Sequence, residues 1–461
     1  MSGRETEHSQ QHERQTANPY APPSPTDAAA LAVDDEQIAG GEQHPPLVRD
    51  PSFWGFTATQ FLGAFNDNLY KQLALLLFVA VPVGPEGKKT DLQVVALLAF
   101  SLPFILFSGF AGYLSDRWSK SRIIVGCKLA EVLIMLLGVG GFLLLAERGL
   151  SAVTVAAISF VLFLMGSHSA MFGPSKYGVL PSLFAARELP RVNGVVIMTT
   201  FLAIIFGSSL AGLLMDSWGD RLWLTGVTGM AIAGLGVATA LCVRRLKPAL
   251  PELKFNVDAL FIPREIRDVL RADRSLGAAL LVSTIFWLSA AIVQPAVNAL
   301  GKLQLAVDNT RTSLLVAVIS AGIAGGSVIA GLMSRSQVDR RVQNLGAIGM
   351  TVTLLVLAIP FGPQRHLLGY NGSVVALIAL GGFTGMFAVP LQVFIQSRPP
   401  EALKGRTIAT QNLLNWIGIF LSTPIYGVGN YLLTVVGMPP NGMFALTAFL
   451  MLPVAIWYRA R

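Results

Sequence analysis

The sequence predicts an all-α membrane protein, with twelve transmembrane helices arranged as two six-helix pseudo-repeats. Three observations carry this expectation. Of 461 residues, 53% are hydrophobic and 13% charged, against about 45–50% and about 25% in soluble proteins. Apolar runs of about 20 residues, enough to cross a hydrocarbon core of about 30 Å, fall near 53–80, 92–114, 123–146, 152–174, 191–214, 222–243, 275–297, 312–334, 344–362, 373–396, 409–434 and 442–458. The loop after the second run, Gly112-Tyr113-Leu114-Ser115-Asp116-Arg117, is echoed after the eighth by Gly331-Leu332-Met333-Ser334-Arg335-Ser336.

The even number of runs places both termini on one side of the membrane. Short loops on that side carry twenty lysines and arginines, whereas the opposite loops carry seven, namely Lys88, Lys89, Arg148, Arg221, Lys302, Arg311 and Arg365. Because Lys and Arg in short loops stay cytoplasmic, both termini are expected in the cytoplasm of a multi-pass membrane protein. The same asymmetry accounts for the formal charge of +8 without a nucleic-acid partner. Residues 1–52 are polar and Pro-rich and read as a disordered cytoplasmic tail. Residues 53–243 and 275–461 form the two bundles. The linker, 244–274, carries Pro263, Ile266, Val269 and Leu270 at the spacing of a short amphipathic surface helix. Cys127 and Cys242 lie far apart in apolar runs and read as core residues, with no metal site implied.

Asp67 stands inside the first apolar run, where a carboxylate costs about 2.5–3.5 kcal/mol on insertion scales and marks a functional position by default. The competing reading is neutralisation by Lys71, one helical turn on. Asn66 and Asn68 point about 100° to either side of Asp67, so Gln60, almost two turns back, shares its face better. Lys128 and Glu131, three residues apart, are expected to form a structural pair rather than a proton relay. His168 reads as a hydrogen-bonded packing residue, with a proton carrier as the less favoured alternative. Gly322, Gly325, Gly326 and Gly331 are expected to mark close helix contact.

Gly112, Asp116, Arg117 and Lys120 fall in a Gly-x-x-x-Asp-Arg-x-x-Lys pattern that resembles the loop signature of the major facilitator superfamily. In it Gly112 would let helices approach, and Asp116 would cap or pair with a neighbouring helix end as a conformational latch. The second copy is degenerate, since Arg335 stands where Asp116 does. Longer strings narrow the resemblance. Phe61-Leu62-Gly63-Ala64-Phe65-Asn66-Asp67-Asn68 and Gly173-Pro174-Ser175-Lys176-Tyr177-Gly178 look like the lysophospholipid transporter family, and like the transporter domain fused to acyl-glycerophosphoethanolamine acyltransferases.

That resemblance implies a carrier of the bacterial inner membrane, moving lysophospholipids from the outer to the inner leaflet by alternating access, for reacylation. Membrane lipids would be its surroundings and an acyltransferase a functional link. It implies that Asp67 meets an ethanolamine ammonium or a coupling cation, and that Lys176 holds the phosphodiester as a point charge. The other reading of Lys176 is a snorkelling lysine at a helix end. Gln294 stands where some family members carry an arginine, and is expected either to hydrogen-bond the headgroup or to join helices. No cofactor is expected, and a coupling cation, Na+ or H+, is left open.

An enzyme is not expected. No His is followed five residues later by the Asp that acyltransferases of this kind use, and no Gly-x-x-x-x-Gly-Lys-Ser/Thr string supports ATP-driven transport. The competing functions are a proton-coupled efflux carrier for drugs or other amphiphiles, and a transport-inactive receptor or scaffold.

Overall fold

In the computed structural model, the described residues are 46–84, 86–185, 188–253, 262, 264–333, 340–361, 366–400 and 403–458. Twelve long helices order the chain. In the first half they are α1 Pro51–Phe78, α2 Gln93–Arg117, α3 Lys120–Arg148, α4 Ala152–Gly178, α5 Leu189–Trp218 and α6 Trp223–Leu241. In the second they are α7 Arg274–Ala299, α8 Asn309–Met333, α9 Arg340–Ala358, α10 Gly369–Ser397, α11 Lys404–Val436 and α12 Gly442–Trp457. Each begins and ends within a few residues of an expected run.

Ten of them are long and apolar enough to cross a membrane. The other two are α1, which is long but carries Gln60, Asn66, Asp67, Asn68, Lys71 and Gln72, and α12, which is apolar but has 16 residues. Large apolar side chains such as Leu133, Phe160, Val328 and Phe449 point outward from the helices. In water such a surface would be an aggregation liability, whereas in a bilayer it meets lipid tails.

The ends of the helices are set by local chemistry. Asp50 accepts a hydrogen bond from Ser52 N at 2.8 Å and Pro51 takes the first helical position, so α1 starts there. Asp273 does the same for α7, accepting from the N–H groups of Ser275 and Leu276. The chain leaves α11 through Gly437, whose φ of 72 suits glycine.

Packed cores result in each half. One draws on α7 and α9 to α12 with part of α8, around Phe286, Phe387, Tyr426 and Phe444. The first half supplies the others, around Leu73, Phe78 and Phe142 and around Phe53, Phe56 and Ile124. Gly322 and Gly326 on α8 face Gly381, Gly382 and Gly385 on α10, where an added Cβ would strike main-chain atoms. Gly325 and Gly331 have nothing within 4 Å at that position. Two of the four glycines expected at contacts therefore serve none.

Three features depart from the sequence reading. Between α1 and α2 lies an antiparallel hairpin, β1 Val81–Val83 and β2 Lys88–Thr90, with Val81 opposite Thr90. Residues 46–52, expected as tail, are packed: Leu47 is buried, and Asp50 pairs with Arg244 at 2.9 Å. Residues 1–45 lie outside the described residues.

The linker is also anchored at both of its described ends. Its start holds to the first half through Ser119 and Ser121, which donate to the carbonyls of Leu246 and Arg244. Its helix, Arg264–Ala272, sits on α7 and α11 with Ile266 buried and Glu265 paired to Arg406. The linker lies on one face of the helix array and the hairpin on the opposite face.

Candidate functional site

A lane of polar side chains runs along α1, α4 and α5. Near mid-helix, Asp67 Oδ2 accepts from Ser169 Oγ at 2.5 Å, while Oδ1 is shielded and has no hydrogen-bond partner. Toward the linker face, Gln60 Nε2 donates to Thr199 Oγ1 at 2.6 Å and Gln60 Oε1 accepts from Thr200 Oγ1 at 2.9 Å. Lys176 Nζ donates to that same Thr200 hydroxyl at 3.2 Å. Ser169, Lys176, Thr199 and Thr200 are half-buried, and so is Asp67 as a residue, although its Oδ1 is closed off from solvent.

The expected neutralisation of Asp67 by Lys71 does not form. Lys71 instead places Nζ over the Phe100 ring, 5.3 Å from its centroid. A carboxylate with one free oxygen thus stands at one end of the lane and an ammonium tied by a single hydroxyl at the other. Charge-assisted hydrogen bonds to both ends of a zwitterion are what such a lane offers.

Gln60 and Lys176 meet through Thr200, and Asp67 shares their lane, but Gln294 lies elsewhere. Its Nε2 donates to Gln72 Oε1 at 3.1 Å, inside a network that joins the two halves on the hairpin face. There Gln72 donates to Asn298 Oδ1 at 2.8 Å, Asn298 donates to Gln93 Oε1 at 3.0 Å, and Gln93 donates to the Pro295 carbonyl at 3.1 Å. Tyr426 on α11 donates to Asp91 Oδ2 at 2.6 Å. Nearby, Asp216 at the end of α5 accepts from Asn309 Nδ2 and from the N–H and hydroxyl of Thr310, capping α8 from across the halves. Farther in, the rings of Phe104 and Trp416 stack at 3.5 Å.

Beside the lane, α3 turns inward a buried pair. Lys128 Nζ lies 2.6 Å from Glu131 Oε2, and both groups are nearly devoid of solvent contact. Asn66, beside Asp67 but on the neighbouring face, donates to Glu131 Oε1 at 2.9 Å.

The expected latch takes a different form. Around Gly112 there is open space rather than a close helix. The Asp116 side chain is exposed, and its main-chain carbonyl does the holding, accepting from Leu250 N at 2.9 Å. Arg117 donates to Tyr113 on its own helix, and the Lys120 stem lies against Gly178 at the end of α4. The corresponding loop of the second half, 334–339, lies outside the described residues.

Ser169, Thr199 and Thr200 belong to the lane but carry no sequence signal. Each is a hydroxyl in an apolar helix, and a hydroxyl there can return its proton to its own helix, as Thr199 and Thr200 also do to Val195 and Val196.

Comparison with known proteins agrees with this architecture. The model of the Major Facilitator Superfamily matches residues 52–423. The chain is 29% identical over 416 residues to the lysophospholipid transporter LplT of Escherichia coli O9:H4 (strain HS), covering 86% of this chain and 93% of that protein. It is also 29% identical over 421 residues to LplT of Enterobacter sp. (strain 638), covering 88% and 95%. Among solved structures, the nucleoside transporter NupG superposes with a TM-score of 0.62 at 12% identity, covering 87% of this chain and 97% of that one. The inward open xylose transporter XylE from E. coli superposes with a TM-score of 0.56 at 17% identity, covering 87% and 95%. With the family match spanning most of the sequence and the helices arranged as in these carriers, the chain belongs to the major facilitator superfamily and is a multi-pass membrane transporter.

Proposed function

We propose that this transporter carries lysophospholipids from the outer to the inner leaflet, where an acyltransferase consumes them. The observation that carries the reading is the lane of opposite charges. Asp67 offers a free carboxylate oxygen to an ethanolamine ammonium, and Lys176, with Gln60 and Thr200 beside it, offers donors to the phosphodiester. Similarity to LplT over most of both chains points to the same substrate class. The single acyl chain needs no polar partner and can stay against apolar side chains or lipid.

With the arginine- and lysine-rich linker face in the cytoplasm, the hairpin face looks outward. The network of Asp91, Gln93, Tyr426, Gln72, Asn298 and Gln294 then closes the outer side, and the lane is reached from the cytoplasm. Gln294 acts in that closure, not at the headgroup. Alternating access consists of breaking this seal and rocking the halves about the lane.

Spheroplasts fed labelled lysophosphatidylethanolamine test the reading. Uptake and reacylation that depend on the protein are expected. Equal uptake with and without it, together with drug resistance on expression, would overturn the lipid reading in favour of amphiphile efflux.

A further inference from the structure

Lys71 is a cation inside a membrane span that the lane does not use. Such a group is costly and is ordinarily paired, yet among the described residues Lys71 makes no hydrogen bond and no ion pair. Its Nζ rests over the Phe100 ring on α2, 5.3 Å from the centroid. A ring face attracts the charge but offers no strong acceptor, so the N–H donors of the ammonium stay unused. Lys71 is half-buried, and its Nζ is not sealed from solvent as Asp67 Oδ1 is.

Placement along α1 is the second observation. Asp67 and Lys71 lie with Ala64 and Asn68 on the half-buried stripe of the helix. Lys71 is one turn from Asp67 toward the hairpin face, about 6 Å along the axis, whereas Gln60, which shares Thr200 with Lys176, is about 10 Å from Asp67 the other way. The residue after Lys71 is Gln72, held by Gln294 and Asn298 in the network that joins the halves. Lys71, Asp67 and Lys176 therefore follow one another from the seal to the linker face. The phosphate and the ammonium of an ethanolamine headgroup are separated only by an ester oxygen and an ethylene unit. One headgroup thus fits Asp67 and Lys71, a single turn apart, and must slide along the lane to reach Lys176.

We propose that Lys71 is an outer phosphate station of this transporter. When the seal on the hairpin face opens, its ammonium leaves the Phe100 ring and takes the phosphodiester of the incoming lysophospholipid, while Asp67 takes an ethanolamine ammonium where the lipid has one. The headgroup then passes to Lys176, from which it is released on the linker side. The proposal rests on the lysophospholipid reading above, and it gives the two lysines separate moments in one passage.

Spheroplasts present the hairpin side to labelled lysophosphatidylethanolamine and lysophosphatidylglycerol, and inverted vesicles present the linker side. Lys71→Met is expected to raise the hairpin-side KM about 10- to 100-fold for both lipids, as loss of a charge-assisted hydrogen bond should. The linker-side KM should stay unchanged, and Lys71→Arg should keep both values. An equal rise from the two sides, or no rise from either, would overturn the proposal. NMR of protein whose lysines carry isotope-labelled methyl groups supplies a readout that needs neither flux nor the Met variant. The Lys71 signal, assigned by its absence in Lys71→Arg and displaced by the Phe100 ring, should move when lysophosphatidylethanolamine is added and stay in place with a monoacylglycerol of the same chain. A signal that neither lipid moves, or that both move alike, would also overturn the proposal. Absence of protein-dependent uptake by the unsubstituted protein would sink the transport reading alone, and the lysine signal would still decide whether Lys71 takes a phosphate.

Discussion

Asp67 is expensive where it stands, and the structure shows how little of that expense is recovered internally. It accepts one hydroxyl at 2.5 Å, keeps one oxygen free and is not paired with Lys71. Asp67→Asn keeps the shape and removes the charge that an ammonium would meet. A hydrogen bond to a charged group contributes about 1.5–3 kcal/mol, so the KM for lysophosphatidylethanolamine should rise roughly 10- to 100-fold. Lysophosphatidylglycerol, which lacks the ammonium, should be affected much less. Lys176→Met should weaken both substrates alike, because both carry the phosphodiester, and uptake kinetics on the two lipids separate these outcomes. Asp67 was legible in the sequence because a charge in an apolar run is rare. The hydroxyls of Ser169, Thr199 and Thr200 were not, since a hydroxyl in an apolar helix can satisfy itself on its own main chain, as Thr199 and Thr200 also do. Gln294 stayed open between two roles for a related reason: a glutamine in a membrane helix needs a partner, and sequence does not say whether that partner is a ligand or, as in the structure, Gln72.

At the level of elements, helix positions were legible because each span must be apolar for about 20 residues, whereas the faces the spans turn to one another were not. Gly322 and Gly325 look alike in sequence, yet only the first touches α10. Gly322→Val should lower the thermal unfolding midpoint in detergent, at a cost of about 1–3 kcal/mol or more because main-chain atoms must move, while Gly325→Ala should leave it unchanged. The hairpin escaped notice because its strands have three residues each and one contains Pro82, which argues against a strand. Asp273 shows how one residue starts an element. Burial pushes its carboxyl up, but the Arg398 guanidinium and the N–H groups of Leu276 and Ser275 outweigh that and hold it below the usual range. A carboxyl whose folded value is depressed stabilises the fold above its unfolded value of about 3.9 and loses that contribution as pH falls through the folded value. Asp273→Ala should therefore cost about 0.5–2 kcal/mol at pH 7, with little from the largely exposed Arg398 pair. The difference from the unsubstituted protein should vanish in acid, as unfolding midpoints at the two pH values would show.

For the whole molecule, the two halves are held together on the hairpin face by neutral amides, the Tyr426 hydroxyl and two acids, Asp91 and Asp216, and the equilibrium between access states depends on what those groups gain by staying paired. Tyr426 supplies the hydroxyl that Asp91 accepts at 2.6 Å, and without it Asp91 Oδ2 keeps only Gln93 Nε2 at 3.2 Å. Tyr426→Phe should cost the closed seal about 1–3 kcal/mol and shift the closed-to-open ratio about 5- to 150-fold toward open. Spin labels on Lys88→Cys and Arg311→Cys, exposed residues of the two halves on that face, would report the shift as a longer distance distribution. The same pair of labels reads a pH effect of definite sign. Burial pushes the Asp91 carboxyl above its ordinary range, against the opposing hydrogen bonds from Tyr426 and Gln93. Opening hydrates the group and returns it toward about 3.9, so between the ordinary and the raised value the closed seal binds more protons than the open one. Acid on the hairpin side should then favour the closed state, and that contribution should be lost as pH rises through the raised value. Asp91→Asn, which cannot titrate, should leave the label distances independent of pH across that window while Tyr426→Phe still opens the seal, and a pH response that survives Asp91→Asn would place the titrating group elsewhere on the outer face.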